Sequence, residues 1–432
     1  MLPLFRIGRR LKTRGHDVAL LTHSSFGSLA AEAGLDFAAL DDASDCARSI
    51  DDGPLLNTPR GIPEFLRRHY FTKVSLECDL IRRRLRAPDT IVVARDLFDI
   101  GARIAAEKFG IPLTWLFVAP SQLMSPDLRR ELFAKVLAAD VDRLRLEAGL
   151  PPVTDWSSWL SYPGRNVAIW PLWFAAPEPS WAAEVVPVGF VRDNEDESGE
   201  VPEEIRSALC AGERFALITG GTGTFAGRGF YSACVEACRR ARRRMILVTP
   251  HDQLVPADLP ESVLRYRHLP LGKVMPLVEL VLHHGGRGTM SCALAAGTPQ
   301  VVLAWGADRP DNAVRLEQLG VARYIPRPAW NAEMVAEAVE NLADSPEVKE
   351  RCREIAGLVT GTDSLLAACQ VIEDSLRRSG VIDEETGARA GASGEHRAWR
   401  DNPGKDDSER LSPERLELLA ILLKKKGERS GD

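Results

Sequence analysis

Residues 280–290 read Leu280-Val281-Leu282-His283-His284-Gly285-Gly286-Arg287-Gly288-Thr289-Met290, an apolar run, a glycine-rich turn, and then a helix predicted over 290–296. A buried strand that turns through glycines into a helix is the building unit of a parallel α/β sheet. The turn is also a place to hold phosphate. Glycines let the backbone approach an anion closely, the first N–H groups of a helix point at it, and the helix dipole favours negative charge there. The same residues also fit a tight turn whose histidines satisfy backbone groups, and the stretch alone leaves both readings open.

Outward from this turn the pattern repeats. Strands are predicted at 215–219, 245–249, 264–268, 300–304 and 321–325, with helices over 230–244 and 312–319, so strands alternate with helices as in a parallel sheet covered on both faces. Two more loops follow strands on the same pattern, Thr219-Gly220-Gly221-Thr222-Gly223-Thr224 and Trp305-Gly306-Ala307-Asp308-Arg309-Pro310-Asp311-Asn312. The first fits a dinucleotide fingerprint loosely, through Gly221, Gly223 and Ala226. It lacks an acidic residue at the end of a following strand, so a nicotinamide oxidoreductase is a weak alternative.

The first half repeats the alternation less cleanly. A helix opens the chain, with Leu4, Ile7 and Leu11 on one face, and strands are predicted at 17–22, 35–40, 90–94 and 111–118. An opening helix with no strand before it suggests a truncated β-α unit. Residues 41–61 are turn-rich and predict a surface loop; 62–85 and 128–147 predict long helices, and 100–109 a shorter one. Asp96 ends the strand at 90–94, at the carboxyl edge where open α/β sheets bind ligands. Trp156, Trp159, Trp170, Trp173 and Trp181 suit an apolar acceptor cleft or interdomain packing.

The acidic, apolar-poor stretch at 191–204 predicts a linker between a first domain, 1–190, and a second, 205–378. The tail, 379–432, is Gly-, Ser- and charge-rich to about 409 and predicts disorder there. A helix is predicted near 412–426, with Ser412 and Pro413 at its start; docking on the body, dimerisation and a partner protein all suit its leucines.

With 55 basic against 61 acidic residues the net charge is −6, which gives no electrostatic drive toward nucleic acid. No run reaches the roughly 20 apolar residues of a membrane span, and no signal peptide opens the chain, so a cytoplasmic location is expected. The eight cysteines show neither a C-x-x-C pair nor zinc spacing.

The run HHGGRGTMSCALAAGTPQVVLAWGADRPDNAVRLEQLG, 283–320, resembles the donor-binding signature of the macrolide-type, UDP-glycosyltransferase-like enzymes of glycosyltransferase family one. RGHDVALLTHSSF, 14–26, and VARDLFDIGARIAAEKFGIP, 93–112, extend the resemblance over most of 1–378. It implies the GT-B fold, two Rossmann-like α/β domains, and inverting transfer of a sugar from a UDP- or dTDP-sugar to a small apolar polyketide or peptide acceptor, with no metal or other cofactor. By the same resemblance His284, Arg287, Gly288 and Thr289 contact the donor diphosphate, with Thr222 and Gly223 lining the same anion. His268 lies against the nucleobase and Asp308 binds sugar hydroxyls. Asp308 also fits as the N-cap of the helix entered at Pro310, and His268 as a surface histidine. Arg309 departs from the family's usual glutamine, which leaves the sugar undefined. The tail resembles, weakly, helices beside domains of peptide and polyketide assembly lines, a second route to a partner.

The resemblance also implies a base histidine in the first strand-to-helix loop, oriented by an aspartate that Asp96 matches. That loop belongs just before Leu2, and none of the eight histidines fills the role. The expectation is therefore that the true start lies upstream. The alternative is a truncated, catalytically impaired homologue that binds a donor or assists a partner.

Overall fold

The computed structural model describes residues 2–380 except 59, 87, 96–97, 124–125, 182, 192–198, 225 and 261. Asp96, the core of the acidic stretch and the tail helix expected at 412–426 lie outside the described residues.

Strand β1 (Ala19–Thr22) pairs in parallel with β2 (Asp36–Ala39). A second sheet has the order β3 (Val92–Ala94), β4 (Leu113–Phe117), β5 (Tyr162–Ala168), β6 (Ala183–Pro187), also parallel. The third is formed by β7 (Phe215–Thr219), β8 (Arg244–Val248), β9 (Val263–Tyr266), β10 (Leu280–His283), β11 (Gln300–Val302) and β12 (Ala322–Tyr324). Its order is β12-β11-β10-β7-β8-β9, all parallel. Each residue of β7 and β10 is buried, because helices cover both faces and leave no polar side for alternation. The described chain ends in helix Ser364–Gly380, whose Ala368, Cys369 and Ile372 pack with Leu116, Val167 and Ile169 of the four-stranded sheet.

Several elements differ from the sequence reading. Strands β5 and β6 were not foreseen, since Gly164, Arg165 and Asn166 interrupt the apolar pattern. Asn166 is fully buried and satisfied there, its amide oxygen accepting from Trp115 N–H at 3.0 Å. The expected loop at 41–61 holds helix Ala43–Asp51, started by Asp42, whose carboxylate accepts from Ser44 and Asp45 N–H. The single helix expected over 62–85 is broken into Gly61–His69, a short turn at Phe71–Lys73, and Val74–Arg84. The one expected over 128–147 is interrupted by a π-helical stretch, Glu131–Val136. Trp159, Trp170 and Trp181 are buried in the core, and Trp156 and Trp173 pack half-buried against it.

Candidate functional site

The three glycine-bearing loops of the second half meet because their strands are neighbours. His283 of β10 pairs with Thr219 of β7 on one side and Val302 of β11 on the other, so all three loops leave the same carboxyl edge side by side. At that edge the helix after β10 runs Arg287–Ala296, starting three residues earlier than expected. Arg287, Gly288 and Thr289 are thus its first turn, and Gly286 caps it without a side chain. The helix offers its first N–H groups and the positive end of its dipole.

The two histidines divide the work. His283 is buried; its Nδ1 accepts from Gly285 N–H at 3.1 Å and its Nε2–H donates to Gln300 Oε1 at 3.0 Å. Burial lowers its pKa to about 4, so it is a neutral fixture of the turn. His284 points the other way, between two glycines. A Cβ at Gly221 would lie 2.7 Å from its Cε1, and one at Gly286 would lie 2.4 Å from its Nε2. Its Nδ1 is buried with no hydrogen-bond partner, and burial, with His283 and Arg309 adding to it, lowers its pKa to about 3. A neutral imidazole with an unpaired buried nitrogen at a helix N-terminus leaves one hydrogen-bonding position for a ligand.

Positive charge gathers around it. Burial is the main cause that brings the Arg287 pKa down to about 10; Asp308 opposes this and Arg6, from the opening helix Leu2–Thr13, adds to it. Arg309 is 6% exposed and its pKa is lowered, chiefly by burial, against the pull of Asp308.

Asp308 occupies the N-cap position of helix Arg309–Gln318, yet its side chain makes no capping bond. Its Oδ2 accepts from Asn312 Nδ2 at 3.2 Å instead, and the same amide donates to Gly285 O at 3.0 Å. Asn312 thereby ties the Asp308 loop to the histidine turn.

Thr222 is exposed, and Gly223 half-buried, on the loop whose Gly221 abuts His284. The sequence reading missed His251, which follows β8; its Nε2–H donates to Thr222 O at 2.9 Å and fixes that loop. Only its place after a strand could have singled it out. Tyr231 was missed too: its hydroxyl accepts from Gly220 N–H at 3.1 Å. His268 is exposed beyond β9. In the first half, His23 at the end of β1 is held through Nδ1 by Asp41, which also accepts from Ser24 N–H at 2.6 Å and pairs with Lys73 at 3.4 Å.

Parallel sheets with glycine loops and a basic helix N-terminus at one carboxyl edge are an arrangement of the GT-B fold. Residues 244–361 match the family described as the erythromycin biosynthesis protein CIII-like C-terminal domain. The O-mycaminosyltylonolide 6-deoxyallosyltransferase of Streptomyces fradiae is 26% identical over 405 residues, covering 86% of this chain and 94% of that protein. Two solved structures share the fold. The kitacinnamycin glycosyltransferase has a TM-score of 0.64 at 21% identity, covering 86% of this chain and 95% of its own. Glycosyltransferase VinC in complex with dTDP has a TM-score of 0.64 at 18% identity, covering 87% and 96%. The chain is thus similar to natural-product glycosyltransferases over most of its length in sequence and shares their fold.

Proposed function

We propose that this protein transfers a sugar, with inversion, from a UDP- or dTDP-sugar to a hydroxyl of a small, largely apolar natural product of polyketide or peptide type. The carrying observation is the unpaired Nδ1 of His284 beside the uncapped first turn of helix Arg287–Ala296. As the glycosidic bond breaks, negative charge grows on the leaving diphosphate. His284, Arg287 and the N–H groups of Gly288 and Thr289 meet that charge, which is the main catalytic contribution of such a site. The Thr222–Gly223 loop closes the other side of the anion, His268 lies toward the nucleobase, and Asp308 accepts from sugar hydroxyls. Arg309 stands next to Asp308 as a fixed cation. This charge balance calls for no metal ion. Asp96 is assigned to orient the acceptor base.

The relative from Streptomyces fradiae is named as an O-mycaminosyltylonolide 6-deoxyallosyltransferase and VinC was crystallised in complex with dTDP; the first supports transfer of a deoxysugar and the second a thymidine nucleotide donor. Eight free thiols, and no single described helix long and apolar enough to cross a membrane, support a cytoplasmic place of action. A second reading, a homologue that binds donor without transferring, draws on the split between the β1-β2 pair and the four-stranded sheet. Mass spectrometry of an aglycone panel incubated with mixed sugar nucleotides tests both. Glycosylated product supports transfer; donor binding with no product for any pairing supports the second reading.

A further inference from the structure

The chain passes between the four-stranded and the six-stranded sheet twice, and the two passages touch. It leaves the first half after β6, through Val188-Gly189-Phe190-Val191. It returns between helices Pro346–Thr360 and Ser364–Gly380, the second of which packs on the four-stranded sheet. Gly189 holds a φ of +97°, and a Cβ there would strike Ser364 Oγ, so glycine is what lets the passages lie this close. Crossings that meet at one place make a pivot between the halves.

Phe190, next to the pivot, is buried edge-to-face on Phe174, with ring centroids 5.2 Å apart. Phe174 lies in a fixed turn of the first half. Its N–H and that of Ala175 donate to Pro171 O at 3.0 and 3.3 Å, and Trp170 Nε1–H donates to Ala175 O at 3.0 Å. From the second half Arg315 reaches this turn. Its Nη1–H donates to Phe174 O at 3.3 Å, and its guanidinium carbon lies 5.9 Å from the centre of the Phe174 ring. Its Nε–H donates to Asp311 Oδ2 at 3.2 Å, which holds the planar fork in that direction. Arg315 belongs to helix Arg309–Gln318, and Asp308 stands seven residues, about 10 Å, before it along the same helix.

We propose that Arg315 is a positioning residue, which sets the angle between the halves and so the alignment of the acceptor hydroxyl with the donor's anomeric carbon. The helix acts as a rigid arm. Near its start Asn312 ties it to the histidine turn, and near its end Arg315 ties it to the pivot. Ala313 and Leu316 of the same helix pack in the apolar cluster that holds Phe174 and Phe190, but apolar contact has no preferred direction and lets surfaces slide. The bond to the Phe174 carbonyl has one geometry, so it selects one angle. This inference rests on the transfer reading above and adds to it the residue that aligns the two substrates.

The test compares the full chain with Arg315→Ala and Arg315→Lys, using UDP and dTDP for binding and whichever donor and acceptor give product for kinetics. Nucleoside diphosphate affinity should stay within ~2-fold of the parent, because Arg315 does not touch the donor. In Arg315→Ala kcat should fall ~10–100-fold with little change in either KM, the cost of a small misalignment. Nucleotide released without glycoside should rise as water takes the place of a misplaced acceptor, and Arg315→Lys should recover part of kcat. A kcat within ~2-fold of the parent, or a loss of affinity that accounts for the whole loss in kcat/KM, overturns the proposal. Small-angle scattering of the nucleotide-bound proteins reads the angle without chemistry, and Arg315→Ala should have the larger radius of gyration. Equal radii overturn the proposal whether or not an acceptor is found, whereas a parent that makes no glycoside counts against the transfer reading alone. Should the alanine variant fail to fold, Arg315→Lys carries the same comparisons, with smaller changes of the same sign expected and parent-like values overturning the proposal.

Discussion

The buried side-chain amide of Asn312 donates to the carbonyl oxygen of Gly285 at 3.0 Å, fastening the start of one helix to the glycine turn ahead of another. The same Nδ2 reaches Asp308, so the histidine turn and the sugar-side loop are held as a unit. Replacement Asn312→Ala removes both bonds and leaves the Gly285 carbonyl buried without its donor. A loss of about 2–3 kcal/mol in unfolding free energy is expected. Donor KM should rise several-fold with kcat less affected; denaturant titration and steady-state kinetics check the pair of effects.

The glycines of the turn separate packing from ligand approach. A Cβ at Gly286 would strike the His284 ring, whereas one at Gly288 meets nothing within 4 Å. Gly286→Ala should therefore lower stability and displace His284. Gly288→Ala should leave the melting temperature unchanged or slightly raised, since alanine is favoured over glycine in a helix by roughly 0.5–1 kcal/mol. It should still weaken nucleotide binding by at least ~10-fold, because the open space beside it is where the anion sits. Equal affinity of Gly288→Ala and the parent would count against that placement.

His283 makes stability depend on pH with a definite sign. Its folded pKa is about 4, below the ordinary value of 6.5, so the unfolded chain binds the proton first. Stability is full above about pH 6.5 and falls as the pH drops from there toward 4. The contribution is of order 3 kcal/mol over that window. His284, lowered to about 3, adds a similar slope over the same range and carries it further down. Unfolding measured between pH 7 and pH 4.5 should show this slope, and His283→Asn should reduce it by about half.

Much of the second half was legible because its strands are short apolar runs ended by glycine loops; the predicted 215–219 coincides with β7. The adjacency of the three loops was not. It depends on strand order, which places β10 between β7 and β11 although β8 and β9 intervene in the chain. Nor could spacing tell the two histidines apart, one locked on Gln300 and the other left with an open nitrogen. His251 escaped notice, and Asn312 was read only as part of the signature, because each acts through a backbone carbonyl far away in sequence. In the first half β5 was hidden by a buried asparagine, a polar residue that a pattern of apolar positions excludes. The opening helix was read correctly from the spacing of Leu4, Ile7 and Leu11, but its packing of Ile7 and Leu11 against Leu116 and Val167 became visible only in three dimensions.

The central claim, that the His284 turn holds a diphosphate, is tested most directly by calorimetric titration of UDP, dTDP, uridine and thymidine into the parent and Arg287→Ala proteins. The account predicts that at least one nucleoside diphosphate binds the parent ~100-fold or more tightly than its nucleoside, a difference of about 2.7 kcal/mol. Arg287→Ala should remove most of that difference while leaving nucleoside binding unchanged. A nucleoside that binds the parent as tightly as its diphosphate, or a diphosphate preference untouched by Arg287→Ala, would contradict it.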